Sequence, residues 1–335
     1  MTVTSLGDLS SNLQLRRDTT RIKGDLQRLT RELSSGVADN LVGRFRGNFS
    51  PLNGVERGIA RAESYLVAIA EHQLSVTGQQ TALANLAALG DIAGPLMSVQ
   101  DTGDAVLLRN AGHDALSRLS SALSNLNVQS GGRTLFSGVA LDGPVVADAD
   151  AILSAIETEI ATQGAVTASA VAQVVADFFA VGGGYDTVGY LGGAVAASGP
   201  QLSDGEVAGA LATAQDQGVR DYLAGFAMAG LLGRDVLSGD TGEQGRLARL
   251  SGEHLHRATS GLVDLQARIG TAEGQIARAK AEVMAESEDL RIARTELIGA
   301  DPYETAVDLQ MAESQLQTLY TITARLSRLS LTDYL

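Results

Sequence analysis

At 335 residues, with 44% hydrophobic but only 4% aromatic residues and no Trp, the chain can form two or three domains, and its core must be built from Ala, Leu, Val and Ile. The absence of Cys excludes disulfides and thiolate metal sites, and a net charge of -14, with Lys only at Lys23 and Lys280, argues against nucleic acid or an anionic membrane surface as partner. No uninterrupted run reaches the roughly 18 to 20 apolar residues of a membrane span, and the first residues lack a signal-peptide apolar block. No membrane insertion is therefore expected, and export, if it occurs, is expected without a cleaved signal.

Residues 1 to about 40 read as one helix. Leu9, Leu13, Ile22, Leu26, Leu29 and Leu33 form its apolar stripe, interrupted near Arg16 and Arg17, before a loop at Gly36. Residues 42–51 carry two Gly and a Pro and read as an extended loop pinned by Phe45 and Phe49. Helical spacing returns from Val55 to about Gln100, with a possible kink at Gly94-Pro95, and again from Asp104 to Gln129, where Gly131-Gly132 stops it. A short strand or turn over 133–139 leads out of this region.

Residues 141–245 have a different texture. They hold 18 of the 38 Gly, and 14 acidic residues against only Arg220 and Arg234, which confines most of the negative charge to this segment. Within it, 148–162, 168–179 and 220–237 read as helices, while 185–191 and 206–213 are strand candidates. Such an acidic face suits a domain that projects into solvent.

From about Leu247 to Leu297 the helix resumes. Leu262 and Leu265 lead into Ile269, Ile276, Val283, Leu290 and Leu297, which recur every seven residues and mark a narrow bundle seam. Ala272, Ala279 and Ala293 read as the opposite, small positions that allow close approach. Residues 298–302 break the helix, and Asp301, Pro302 and Glu304 match an N-cap, a Pro at the first helical position and a capping box. The last helix carries Leu309, Ala312, Leu316, Leu319, Ile322, Leu326 and Leu329 at spacings of three and four.

The fold expected is mainly α. Both chain ends form a long antiparallel helical bundle, with a small inserted central α+β domain. The expected division is a terminal hairpin of 1–42 and 299–335, a long-helix bundle of 43–140 and 246–298, and an outward-facing insert of 141–245. A terminal helix that stays amphipathic needs a cover, so Leu9, Leu13, Ile22, Leu26, Leu29, Leu33, Leu309, Leu316, Leu319, Ile322, Leu326 and Leu329 are expected to serve as an assembly interface. Leu326→Asp should then block incorporation, because a charge in an apolar seam is costly, whereas Asp186→Ala in the insert should leave assembly intact.

No catalytic, metal or cofactor set emerges. His254 and His256 point about 200° apart on a helix and cannot share an ion as an i, i+4 pair can. Glu282, Glu286, Glu288 and Asp289 read as a solvated helix face. Gly182-Gly183-Gly184 lacks the Lys and Ser/Thr of a phosphate loop.

Three stretches resemble the flagellin family: Leu29-Thr30-Arg31-Glu32-Leu33-Ser34-Ser35-Gly36, Gly132-Arg133-Thr134-Leu135-Phe136-Ser137-Gly138, and Asp301-Pro302-Tyr303-Glu304 with its continuation through Gln315-Leu316, Tyr320 and 324–331 to Tyr334-Leu335. The resemblance covers about 1–140 and 245–335. The Tyr-Leu ending departs from the Leu-Leu-Arg-like tail of filament subunits and favours the family's hook–filament junction members. The resemblance implies a non-enzymatic structural subunit exported unfolded through the flagellar type III apparatus. Its implied partners are adjacent axial proteins, like subunits and a cytosolic chaperone on the C-terminal helix. A filament subunit and a cytoplasmic coiled-coil scaffold are the alternatives.

Overall fold

The computed structural model describes residues 6–100, 103–140, 143–193, 195 and 199–332. The chain is mainly helical, with two short antiparallel hairpins. Its contacts divide it into two compact units: residues 1–63 with 284–335, and residues 64–283. The divisions fall inside two long helices.

The first unit contains α1 (Leu6–Ser35), α2 (Leu41–Phe45), the start of α3 (Ser50–Leu89), the end of α9 (Thr241–Ile298) and α10 (Pro302–Thr332). The expected extended loop after residue 40 holds the short α2, which begins where the Asn40 side chain accepts from Gly43 N–H. Phe45 and Phe49 lie with ring centroids 5.4 Å apart. The Asp301 side chain accepts from Tyr303 N–H at 2.8 Å and Glu304 N–H at 3.1 Å, which starts α10 with Pro302 where no N–H is required. Gly58 lies under Leu290, and Glu56 pairs with Arg294 at 2.5 Å and Glu63 with Arg291 at 3.2 Å, so these parts of α3 and α9 run antiparallel.

The second unit is built around α5 (Ala105–Leu126) and α8 (Gln217–Gly233). α8 is buried without interruption from Tyr222 to Leu232. A helix apolar all round belongs in a core, and here it approaches α5 so closely that a Cβ on Gly112 would collide with the backbone nitrogen of Gly233. Around the pair lie α4 (Ala93–Val99), α6 (Ala149–Gln163) and α7 (Ala168–Phe179). Asp148 caps α6 and Thr167 caps α7. The hairpin β1 (Gln129–Ser130) to β2 (Arg133–Thr134) turns through Gly131 and Gly132, both at positive φ, which the tightest hairpin turn demands. A second hairpin joins β3 (Gln201–Ser203) to β4 (Glu206–Val207).

Several local expectations need correction. Residues 185–191, rich in β-formers, do not form a strand: Tyr185–Gly189 is a π-helical turn closed by Tyr190 N–H to Tyr185 O at 2.7 Å. Tertiary contacts override propensity there, because Asp186 and the Tyr185 ring are both drawn onto Arg220. Of 206–213 only 206–207 pair in a strand. Residue 212 is held instead by the buried Gln79 side chain, which donates to Leu135 O and Ala212 O and accepts from Ala212 N–H.

The irregularity expected at Gly94-Pro95 lies earlier, in a 3₁₀ turn at Gly90–Ile92; Pro95 then sits in the first turn of α4. The region Ser50–Val99 does contain an 18-residue window of mean hydropathy 1.4, long and apolar enough by length and composition to cross a membrane, which counting uninterrupted apolar runs does not register. In this structure Leu83, Leu86, Ile92 and Leu96 of that region are core residues of the second unit.

Along α9 in the second unit, Leu262, Leu265, Ile269, Ile276 and Val283 are buried. Ala279 is buried with them and Ala272 is half-buried, so these alanines share the seam face and do not lie opposite it. A step of three residues turns a helix by about 300°, which returns to nearly the same side.

Candidate assembly surface

The terminal helices α1 and α10 pair antiparallel, with Lys23 placed 5.8 Å from the Tyr320 ring near the middle of the two helices and Val37 bridging Gly299 at one end. Ile22, Leu29 and Ala312 are buried between them, and Leu26, Leu309, Leu316 and Leu319 pack against that cluster half-covered. Two helices alone supply one seam and leave the rest of each surface open. Leu13 is 56% exposed, and Leu33 and Ile322 are each 42% exposed. The side chains of Leu9, Leu326 and Leu329 lie outside the described residues.

A second apolar row was not read from the sequence. Tyr303, Val307 and Met311 recur every four residues on α10, with Tyr303 81% exposed. The i, i+4, i+8 spacing was the available signal, but these residues interleave with charged neighbours and belong to no seven-residue repeat.

The closed end of the hairpin is held by backbone and charge. Ala38 N–H donates to Ile298 O at 2.8 Å and Ala300 N–H to Gly36 O at 3.0 Å. The Arg44 guanidinium donates to Gly299 O at 2.5 Å and Glu296 O at 3.0 Å, satisfying carbonyls left free at the end of α9. The Glu32 carboxylate, itself buried, accepts from Asp39 N–H at 2.9 Å and pairs with Arg28 at 3.1 Å. The adjoining groove of 680 Å³ mixes Arg44 and Arg291 with Glu288, Glu296, Asp301 and Glu304 and presents no converging nucleophile and base.

Of the expected bundle seam, Leu290 and Leu297, in this unit, are half-buried, while Ile269, Ile276 and Val283, in the second unit, are buried. Among the described residues no group of three His, Asp or Glu could hold a metal. His254 faces the backbone carbonyl of Asp221 at 2.9 Å, and burial pulls its pKa down; His256 is exposed. Burial likewise lowers the pKa of His72, a core residue of the second unit.

The same stretch of helix is what relates this chain to known proteins. Residues 253–335 match the family described as the bacterial flagellin C-terminal helical region. This end of the chain is flagellin-like. The matched residues take in Ile269, Ile276, Val283, the break at 298–302 and the whole of α10. Among solved structures, the crystal structure of Bacillus cereus FlgL is similar with 13% sequence identity and a TM-score of 0.49, covering 72% of this chain and 100% of that chain. No curated protein matches the sequence.

Proposed function

We propose that the protein is a structural, non-enzymatic subunit of the bacterial flagellum that joins hook to filament by helical packing between subunits. The observation that carries this reading is the flagellin-like C-terminal region, whose α10 buries one seam against α1 while its second apolar row faces outward. An amphipathic helix covered on only one side is marginally ordered by itself in water and gains order when neighbours cover it. That property suits a chain threaded unfolded through the flagellar type III apparatus and folded outside the cell. A cytosolic chaperone would cover α10 before export, and the adjacent hook-associated protein, flagellin and like subunits would cover it afterwards. In this scheme 1–42 with 299–335 face the inner tube, 43–140 with 246–298 form the wall, and 141–245 face outward; growth uses heterologous, non-closing contacts.

The family matched, described as that of flagellin, favours the filament subunit as the second reading. Mixing purified protein with hook-associated protein and with flagellin, followed by sizing, separates them. Binding to both without self-growth supports the junction. A long filament formed by this chain alone would replace it with flagellin, and retention in the cytoplasm would remove both. Leu316→Asp, on the described seam, should prevent incorporation as Leu326→Asp should.

A further inference from the structure

Two faces of the terminal unit stay uncovered, and they are opposite in charge. On α10, Tyr303, Val307 and Met311 form an exposed stripe about 80° wide, on the far side of the helix from Leu309, Ala312 and Leu316, which pack toward α1. Glu304 and Asp308, four residues apart and exposed, border one side of that stripe. On α1, the far side from Ile22, Leu26 and Leu29 carries Leu13, Thr20 and Gly24, all exposed. A shallow groove of 530 Å³ opens there, and a Cβ on Gly24 would meet nothing within 4 Å. Arg17 and Arg21, again four residues apart, line one side of the groove, and Arg16 lines the other. The one carboxylate lining it, Asp25, already has Arg21 at 3.7 Å and Arg28 at 3.8 Å. Among the described residues Arg16, Arg17, Glu304 and Asp308 have no ion pair within the chain.

The stripe and the groove point away from each other across the α1–α10 seam, so one copy cannot bring its own stripe to its own groove. We propose that Tyr303, Val307 and Met311 of one copy dock in the groove of Leu13, Thr20 and Gly24 on a second copy, with Glu304 and Asp308 set against Arg17 and Arg21. This rests on the reading that the chain assembles with like subunits, and it names the surfaces that meet. The carboxylates follow one another by about one helix turn, as the guanidiniums do, so both charge pairs form in a single register. Burial of the apolar stripe supplies the attraction, and the charges select which face it lands on. Because the two surfaces differ, the contact is heterologous: each docked pair keeps one free stripe and one free groove, and the contact repeats.

Disulfide trapping tests the pairing, and the absence of Cys makes introduced pairs unambiguous. Val307→Cys and Thr20→Cys are placed in separate copies and mixed under oxidised glutathione, both as the chain alone at high concentration and in the presence of hook-associated protein and flagellin. The expected result is a disulfide-linked dimer of the two variants, in about tenfold higher yield than between Thr20→Cys and Val181→Cys, an exposed position of the other unit. Adding Arg17→Glu and Arg21→Glu to the Thr20→Cys copy should lower that yield about tenfold, because like charges then face each other. Adding Glu304→Arg and Asp308→Arg to the Val307→Cys copy should restore it, which a folding defect in α1 of the other copy would not allow.

No disulfide between positions 307 and 20 in either setting, or a yield unchanged by charge reversal, overturns the proposal. A charge-dependent disulfide in the chain alone, without binding to hook-associated protein or flagellin, supports this contact and removes the junction reading. Binding to both without the disulfide keeps the junction reading and overturns the contact.

Discussion

The two units draw on the same aliphatic residues and use them differently. In the unit of residues 64–283, Tyr185, Tyr222, Phe136, Phe178, Phe179 and Phe226 are fully buried, and α8 is covered on every side. In the terminal unit, the α1–α10 contact rests on Ile22, Leu29 and Ala312, and Phe45 and Phe49 are half-buried while Tyr303 and Tyr320 are exposed. The contrast separates two kinds of helix. One is held by its own domain, and the other has a single seam and an apolar surface left over.

Core substitutions in the central unit should show the largest effects. Phe226→Ala, in the middle of α8, should cost about 3–5 kcal/mol in chemical denaturation, as removal of a fully buried ring does. Asp186→Ala should cost about 3 kcal/mol, because it leaves the buried Arg220 without its carboxylate; breaking such a pair typically costs 3–5. This position is thus an unsuitable neutral control for assembly, and the exposed Val181→Ala is the better one.

Acid offers a second handle on the same pair. Burial raises the Asp186 pKa, but the Arg220 contact, the Gly182 N–H and Gln215 together outweigh it and bring the pKa below its ordinary 3.8. A depressed carboxylate pKa stabilises the fold above that ordinary value, and the contribution is lost as pH falls below it. The parent chain should lose part of its stability in that acid range, and Asp186→Asn should remove that component of the pH profile.

In the terminal unit, Leu29→Ala should lower the stability of the α1–α10 pair by about 2 kcal/mol, the low end for a buried Leu, since the surrounding side chains are half open. The smallest effect on the free chain is expected for Met311→Ala, within about 0.5 kcal/mol. If the outer row of α10 is an assembly surface, that same variant should weaken co-assembly in a sedimentation assay. Unchanged co-assembly would restrict the interface to the α1–α10 seam.

Features encoded by local spacing were legible in the sequence. The seven-residue recurrence located Ile269, Ile276 and Val283 at a buried face, Asp301-Pro302 located the start of α10, and 168–179 bounded α7. The unread features depend on residues far apart in the chain. At the 3₁₀ turn of Gly90–Ile92 the carbonyls of Leu86 and Leu89 meet Tyr222 and Arg118, and at the π turn of 185–189 Asp186 meets Arg220; neither meeting has a periodic signature. Gln79 reads as an ordinary polar residue of a helix until the carbonyls of Leu135 and Ala212 are brought to it. On α10, spacing identified the face packed against α1 and missed the exposed Tyr303, Val307 and Met311, because an exposed apolar row departs from the core pattern only once the fold shows what it fails to cover.

The most direct test is hydrogen exchange, read by mass spectrometry, of the free chain and of the chain assembled with hook-associated protein and flagellin. The account predicts rapid exchange of α1 and α10 in the free chain, strong protection of both on assembly, and the same high protection of α5 and α8 in the two states. Protection of α1 and α10 equal to that of α5 and α8 in the free chain would contradict it, because the terminal helices would then need no neighbour to hold them.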